Sequence, residues 1–124
     1  MEPRLDVPVL VVDDHAAFRG AASEVVRATP GMTLVGDASS GEEAIAAVEA
    51  LSPRLVIMDK RMPGIGGIEA ARLIRARHPG VVVVLVSVEQ PAAEVLEAAG
   101  AAAFLPKRKL SPRVLTELWA TYEA

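Results

Sequence analysis

Three acidic positions close apolar runs in this chain: Asp13 and Asp14 follow Val9–Val12, and Asp59 follows Leu55–Met58. Ser87 closes a third run, Val81–Val86, and Lys107 comes just after Phe104-Leu105-Pro106. Carboxylates gathered within a few ångströms repel one another, so such a group either takes up protons or shares a cation. A hard, oxygen-seeking ion is the simpler solution. Mg²⁺ suits it because it accepts one or two carboxylates, keeps several waters and completes its shell with phosphate oxygens. In that setting Asp59 can attack phosphorus as a carboxylate nucleophile and become an aspartyl phosphate. The cation and Lys107 would neutralise charge on the transferring group. Ser87 can hydrogen-bond a phosphoryl oxygen once it is there, and the added charge would draw its loop inward. Phe104 could then fill the space that the loop vacates.

These residues meet only if the elements carrying them bring their ends to one rim. Five short β-branched runs recur at intervals too long for hairpins: Val7–Asp13, Thr33–Asp37, Leu55–Asp59, Val81–Ser87 and Ala102–Leu105. Helical patterns fill the intervals. The first, from His15 to Ala28, places Phe18, Ala22, Val25 and Val26 on one face and stops at Thr29-Pro30-Gly31. The second opens with Ser40 and Glu43 at capping-box spacing and turns Ala44, Ile45, Val48 and Leu51 inward before Ser52-Pro53. A third follows Gly66-Gly67, groups Ile68, Ala71 and Ile74, and ends at His78-Pro79-Gly80. The fourth, Pro91 to Ala99, is short. The fifth begins at Ser111-Pro112, with Leu115, Leu118, Trp119 and Tyr122 as its inner stripe and a frayed tail after Ala120.

Alternating strands and helices imply parallel pairing through right-handed crossovers, and near-continuous apolar runs suit strands covered on both faces. The expected fold is an open, doubly wound α/β sheet of five parallel strands in the order 2-1-3-4-5, the first two helices covering different faces from the later ones. Ligands of such sheets bind beyond the carboxyl ends of the strands where the order reverses, here between the first and third. That is where the acids fall.

Composition narrows the alternatives. A length of 124 residues and 52% apolar content fit a single domain with its own core, with no output domain expected within the chain. The absence of cysteine excludes thiol catalysis, zinc–thiolate sites and disulfides, and is compatible with a reducing, cytoplasmic setting. No apolar stretch is long enough for a membrane span, and the acidic, proline-containing start is no secretory signal. The net charge is −3 and the ten Arg and three Lys are dispersed, so direct nucleic-acid binding by this segment is not expected.

The motifs resemble the receiver domains of two-component response regulators, over essentially the whole chain. Val11-Val12-Asp13-Asp14-His15 with Phe18-Arg19 is similar to the family's first strand and acidic pair. The run Asp59-Lys60-Arg61-Met62-Pro63-Gly64-Ile65-Gly66-Gly67-Ile68-Glu69 resembles its phosphorylation-site signature. Ser87, Phe104 and Lys107 occupy the positions of the switch hydroxyl, switch aromatic and invariant lysine. The resemblance is greatest to receivers that precede a helix-turn-helix output domain, the LuxR/NarL type, within the flavodoxin-like, CheY-like superfamily. It implies that Asp59 is the phosphoacceptor and that Asp13, Asp14, Asp59 and the backbone carbonyl of Arg61 hold Mg²⁺. It also implies that Arg61 and Glu89 flank the phosphate and tune its hydrolysis. The implied phosphate source is a histidine kinase, a phosphotransfer protein or a small phosphodonor. The implied readers are an output domain, a protein target or a second copy of the chain.

Several features depart from that family. The stretch from Ser87 to Lys107 is shorter than usual by roughly half a helical turn, which falls on a face that receivers use for partners. Arg108, not Pro, follows Lys107, so a cis peptide is not expected there. Lys60 replaces an apolar residue and would favour ionised Asp59 if it turned toward the crevice. Plainer readings stand beside each residue. Asp13 or Asp14 alone could be a helix cap, Ser87 could satisfy nearby backbone, and Phe104 could be simple core. Trp119 and Tyr122 read as packing residues, with a dimer contact through the first and fifth helices as the alternative. Neither His15 nor His78 is assigned to metal. Two competing functions remain: a pseudo-receiver governed by protein binding, and a small phosphohydrolase. The second lacks a Gly-rich phosphate loop, a second aspartate two residues past the nucleophile, and a lid.

Overall fold

The apolar runs that end in acids become the central strands of one parallel sheet. The computed structural model describes residues 6–88 and 100–123. Strands β1 (Val7–Val12), β2 (Met32–Ala38), β3 (Leu55–Asp59), β4 (Val82–Ser87) and β5 (Ala103–Pro106) lie in the order β2-β1-β3-β4-β5, every pair parallel. The helices are α1 (Ala16–Arg27), α2 (Gly41–Leu51), α3 (Gly67–Arg77) and α4 (Pro112–Tyr122), with a 3-10 turn over Lys107–Lys109. The helix expected over Pro91–Ala99, and the shortened stretch around it, lie outside the described residues. No helix among the described residues is long and apolar enough to cross a membrane.

The sheet order is the expected one, but the helices are shared between its faces differently. Leu10, Val12, Val56, Met58, Val83 and Leu85 point to the face covered by Ala44 and Val48 of α2 and by Ala70, Ala71 and Ile74 of α3. Val9, Val11, Ile57, Val84 and Val86 point to the other face, under Ala22 and Val26 of α1 and Leu115 of α4. The first helix therefore pairs with the last, and the second with the third. Right-handed crossovers require this, because the step from β1 to β2 runs one way along the sheet and the steps to β3 and β4 run the other. The side-chain period of two divides each strand's residues between the layers.

Caps fix where the helices begin. Ser40 Oγ accepts from the Glu43 backbone N–H at 3.1 Å, and Ser111 Oγ accepts from Val114 N–H at 3.2 Å. The Glu43 carboxylate reaches back to the Ser39 N–H, one residue earlier than a capping box would place it. Two expected core residues are exposed: Leu51, whose side chain lies across Gly36 of the edge strand β2, and Tyr122 in the last turn of α4. Both belong to the last turn of their helix. That α4 continues through Tyr122 also corrects the frayed tail expected after Ala120.

Candidate functional site

Parallel strands end together, so the acids at their carboxyl ends share one rim. Asp13, just past β1, is fully buried, and Asp59, the last residue of β3, is 4% exposed. From the far side of the sheet, the turn after β5 extends the Lys107 ammonium to 2.7 Å from Asp13 Oδ2 and 3.6 Å from Asp59 Oδ1. The Lys107 side chain is only 14% exposed. It bridges β1 and β3 although more than forty residues separate it from either acid in sequence.

The Asp59 carboxyl is held above its usual range. Burial is the chief cause and Asp13 adds to it, while Lys107 and the backbone N–H of Arg61, which hydrogen-bonds the carboxylate, pull the other way. Asp13 Oδ1 accepts from the His15 backbone N–H at 2.8 Å. Its other oxygen has the ammonium as an ion-pair neighbour, but at an angle that makes no hydrogen bond, and Asp14 Oδ1 is likewise buried without one. Ligand atoms of Asp13, Asp14, His15 and Asp59 all lie within 4.8 Å of one another. Buried carboxylate oxygens with unused lone pairs, converging at that spacing, suit a hard divalent cation.

The structure thus brings together Asp13, Asp14, Asp59 and Lys107 as the sequence implied. Ser87 is buried at the end of β4, opposite Pro106 of β5, and Asp59 pairs with its neighbour Val86. Phe104 of β5 lies opposite Leu85 and is half-buried against the layer under α2 and α3, as a core residue would be. The side chain of Arg61 is exposed, and Glu89 lies outside the described residues. Among the described residues no ion pair joins Lys60 to Asp59, so the charge expected from Lys60 reaches the site only at longer range. All described peptide bonds are trans, including the one after Lys107.

Four contributors were not legible as site residues. The His15 ring, 70% exposed, sits 3.3 Å from both Asp13 Oδ1 and Asp14 Oδ1, close enough to belong to the acidic cluster. The Arg19 guanidinium donates to the Asp13 carbonyl at 2.8 Å and fastens the end of β1 to α1. The Phe18 ring, expected on the inner face of the first helix and within the first-strand motif but given no role, lies under the Lys107 ammonium, 4.4 Å from centroid to Nζ. Gly67, first residue of α3, lets the helix abut β3: a Cβ there would fall 2.0 Å from the Asp59 carbonyl oxygen. Phe18 and Arg19 lie in the first two turns of the helix that opens directly after the acidic pair, and that adjacency is the sequence signal that could have found two of them.

Comparison with known proteins agrees with this geometry. The family model for the response regulator receiver domain matches residues 9–118. The response regulator GacA of Pseudomonas protegens is 44% identical over 103 residues, covering 82% of this chain and 48% of that protein. A protein-glutamate methylesterase/protein-glutamine glutaminase of Pseudomonas fluorescens is 45% identical over 104 residues, 82% of this chain but only 28% of that protein. Among solved structures, the response regulator domain of Thermotoga maritima CheB superposes with a TM-score of 0.81 at 34% identity, covering 93% of this chain and 95% of that one. The signal receiver domain of the putative response regulator NarL from Mycobacterium tuberculosis gives 0.79 at 28% identity, over 92% and 97%. The chain spans about half or less of the length of the curated relatives it matches.

Proposed function

The chain belongs to the response regulator receiver domain family, and we propose that it works by accepting a phosphoryl group on Asp59. The observation that carries this reading is the buried Asp59 carboxylate, paired with Lys107 and set beside two further acids, each with a buried oxygen that makes no hydrogen bond. In the transfer, an Asp59 carboxylate oxygen forms a bond to phosphorus as the bond to the donor breaks, a P–N bond of a phosphohistidine or the P–O bond of an acyl phosphate. The electron pair leaves with the donor, and an imidazole leaving group takes a proton.

Asp13, Asp14, Asp59 and the backbone carbonyl of Arg61 would hold Mg²⁺, which supplies neutralisation of phosphoryl charge when bound. Lys107 has donors to spare for a phosphoryl oxygen. Ser87 would donate to another, and Phe104 would move into the space left by the Ser87 loop. Arg61 and Glu89 would tune hydrolysis from the rim. On this reading the chain is a signalling module and not an enzyme. The match to the methylesterase covers a minor part of that protein, so no ester-hydrolysing activity comes with it. The phosphate source would be a histidine kinase or phosphotransfer protein in the cytoplasm. The reader would be an output domain, a protein target or a second copy, with no direct contact to nucleic acid or membrane.

Intact mass after incubation with Mg²⁺ and acetyl phosphate tests this directly. One base-labile phosphate on the wild type, absent from Asp59→Asn, is the expected result. Equal labelling of the two proteins would move the acceptor elsewhere. No labelling, with no Mg²⁺-dependent beryllofluoride binding, would favour a pseudo-receiver governed by protein contacts.

A further inference from the structure

The phosphoacceptor reading assigns a task to Lys107 but not to the group that holds its ammonium in place. Among the described residues, that ammonium lies near Asp13 Oδ2 at 2.7 Å, Asp59 Oδ1 at 3.6 Å and the ring of Phe18, 4.4 Å away at its centroid. Only the first contact is short. The second is beyond hydrogen-bond length, and the third offers no lone pair at all. Two acids on one side would draw the flexible four-carbon stem of a lysine into the sheet end, where Asp13 could keep the whole charge to itself. An aromatic face on the other side attracts the cation through its quadrupole and keeps water from it, yet consumes none of its three N–H donors.

From this arrangement we infer that Phe18 is a positioning residue for phosphoryl transfer. Its ring holds the Lys107 ammonium between Asp13 and Asp59 with donors left for an incoming phosphoryl oxygen. The inference rests on the phosphoacceptor reading of Asp59. Phe18 can do this because it sits on the first turn of α1, the helix whose start is tied to β1 by Arg19 and His15. The same ring packs against the layer under α1 and α4, so its orientation is set by the core and not by the ligand. Lys107 is held from β5, Phe18 from α1, and the two acids from β1 and β3. Phosphate binding would then be sensed by a cation anchored across the sheet.

The test replaces Phe18 with phenylalanines carrying one, two and three ring fluorines, which weaken the quadrupole stepwise at nearly constant size, and adds Phe18→Leu. Two readouts are taken on the full chain. The first is the initial rate of phosphate incorporation from acetyl phosphate with Mg²⁺. It should fall progressively along the fluorine series, by about three- to tenfold in total. Thermal melting of the fluorinated proteins should stay near that of the wild type. The second, made without phosphate, is the chemical shift of the Lys107 ε-methylene protons. Ring current should move them upfield in the wild type, and Phe18→Leu should return them to the ordinary lysine position.

A rate that is flat along the series while the wild type labels normally would overturn the role of Phe18 and leave the phosphoacceptor reading standing. Unshifted ε-protons in the wild type would overturn the juxtaposition itself. Absence of labelling in every protein, wild type included, would overturn the phosphoacceptor reading and this role with it.

Discussion

Lys107 and Asp13 form the shortest ion pair of the site, 2.7 Å between Nζ and Oδ2, and they join the turn after β5 to the end of β1 across two intervening strands. Asp13 is fully buried, and that ammonium is the cation paired with its carboxylate.

Lys107→Ala should therefore destabilise the metal-free protein by about 3–5 kcal/mol, the range for removing one partner of a buried ion pair. Mg²⁺ should recover part of the loss, because a cation among the acids replaces the missing charge. Urea denaturation with chelator and with Mg²⁺ measures both effects. If Mg²⁺ stabilised the variant no more than the wild type, Lys107 and the ion would not be alternatives for the same carboxylates. With phosphodonor present, the variant should still bind Mg²⁺ while losing the conformational response to phosphate, read from amide chemical shifts around Ser87.

Asp59→Asn should have the opposite sign. The carboxyl of Asp59 is held above its usual range by burial and by Asp13, so the folded protein binds that proton more tightly than the unfolded chain does. Such a group favours folding at acid pH and opposes it as the pH rises through its raised value. Removing the charge should stabilise the metal-free protein at pH 7, with the advantage shrinking toward pH 4 and in the presence of Mg²⁺. A melting-temperature difference independent of pH would show that Asp59 is not electrostatically strained.

Two glycine substitutions separate close approach from simple helix propensity. A Cβ on Gly67 would fall 2.0 Å from the Asp59 carbonyl oxygen, so Gly67→Ala must push α3 off the end of β3. It should cost at least about 2 kcal/mol and weaken beryllofluoride binding as well. Gly20 is inside α1 with nothing within 4 Å of a Cβ, and Gly20→Ala should stabilise by about 0.5–1 kcal/mol without touching the site. Chemical denaturation of both variants decides the contrast, and equal costs would contradict the packing described.

Glu43, at the start of α2, supplies a second pH marker. Its carboxyl is drawn below the usual range by the Ser39 backbone N–H first and the Ser39 hydroxyl second. An acid lowered in this way contributes its stability above the ordinary carboxylate range and loses it as the pH falls through the folded value. Carbon-detected NMR titration should find Glu43 titrating lower in the folded protein than in urea. Coincident titrations would mean that the bond to Ser39 is not maintained in solution.

Much of this architecture is readable in the one-dimensional pattern, because its causes are local. Runs such as Val9–Val12 and Val81–Val86 identify doubly covered strands, Ser40 and Ser111 mark helix starts, and acids at strand ends mark the rim, since parallel strands in register end on the same side. Asp13, Asp14, Asp59 and Lys107 could be named as a group for that reason. The distribution of helices over the two faces was not legible, because it depends on the direction of each crossover along the sheet and not on any helix's own stripe. Nor was the second use of Phe18. Its place on the apolar face of α1 is periodicity, but its position under an ammonium eighty-nine residues later is set by how β5 and α1 meet over the sheet. Periodicity decides which way a side chain points; only the packed sheet decides which distant charge it meets there.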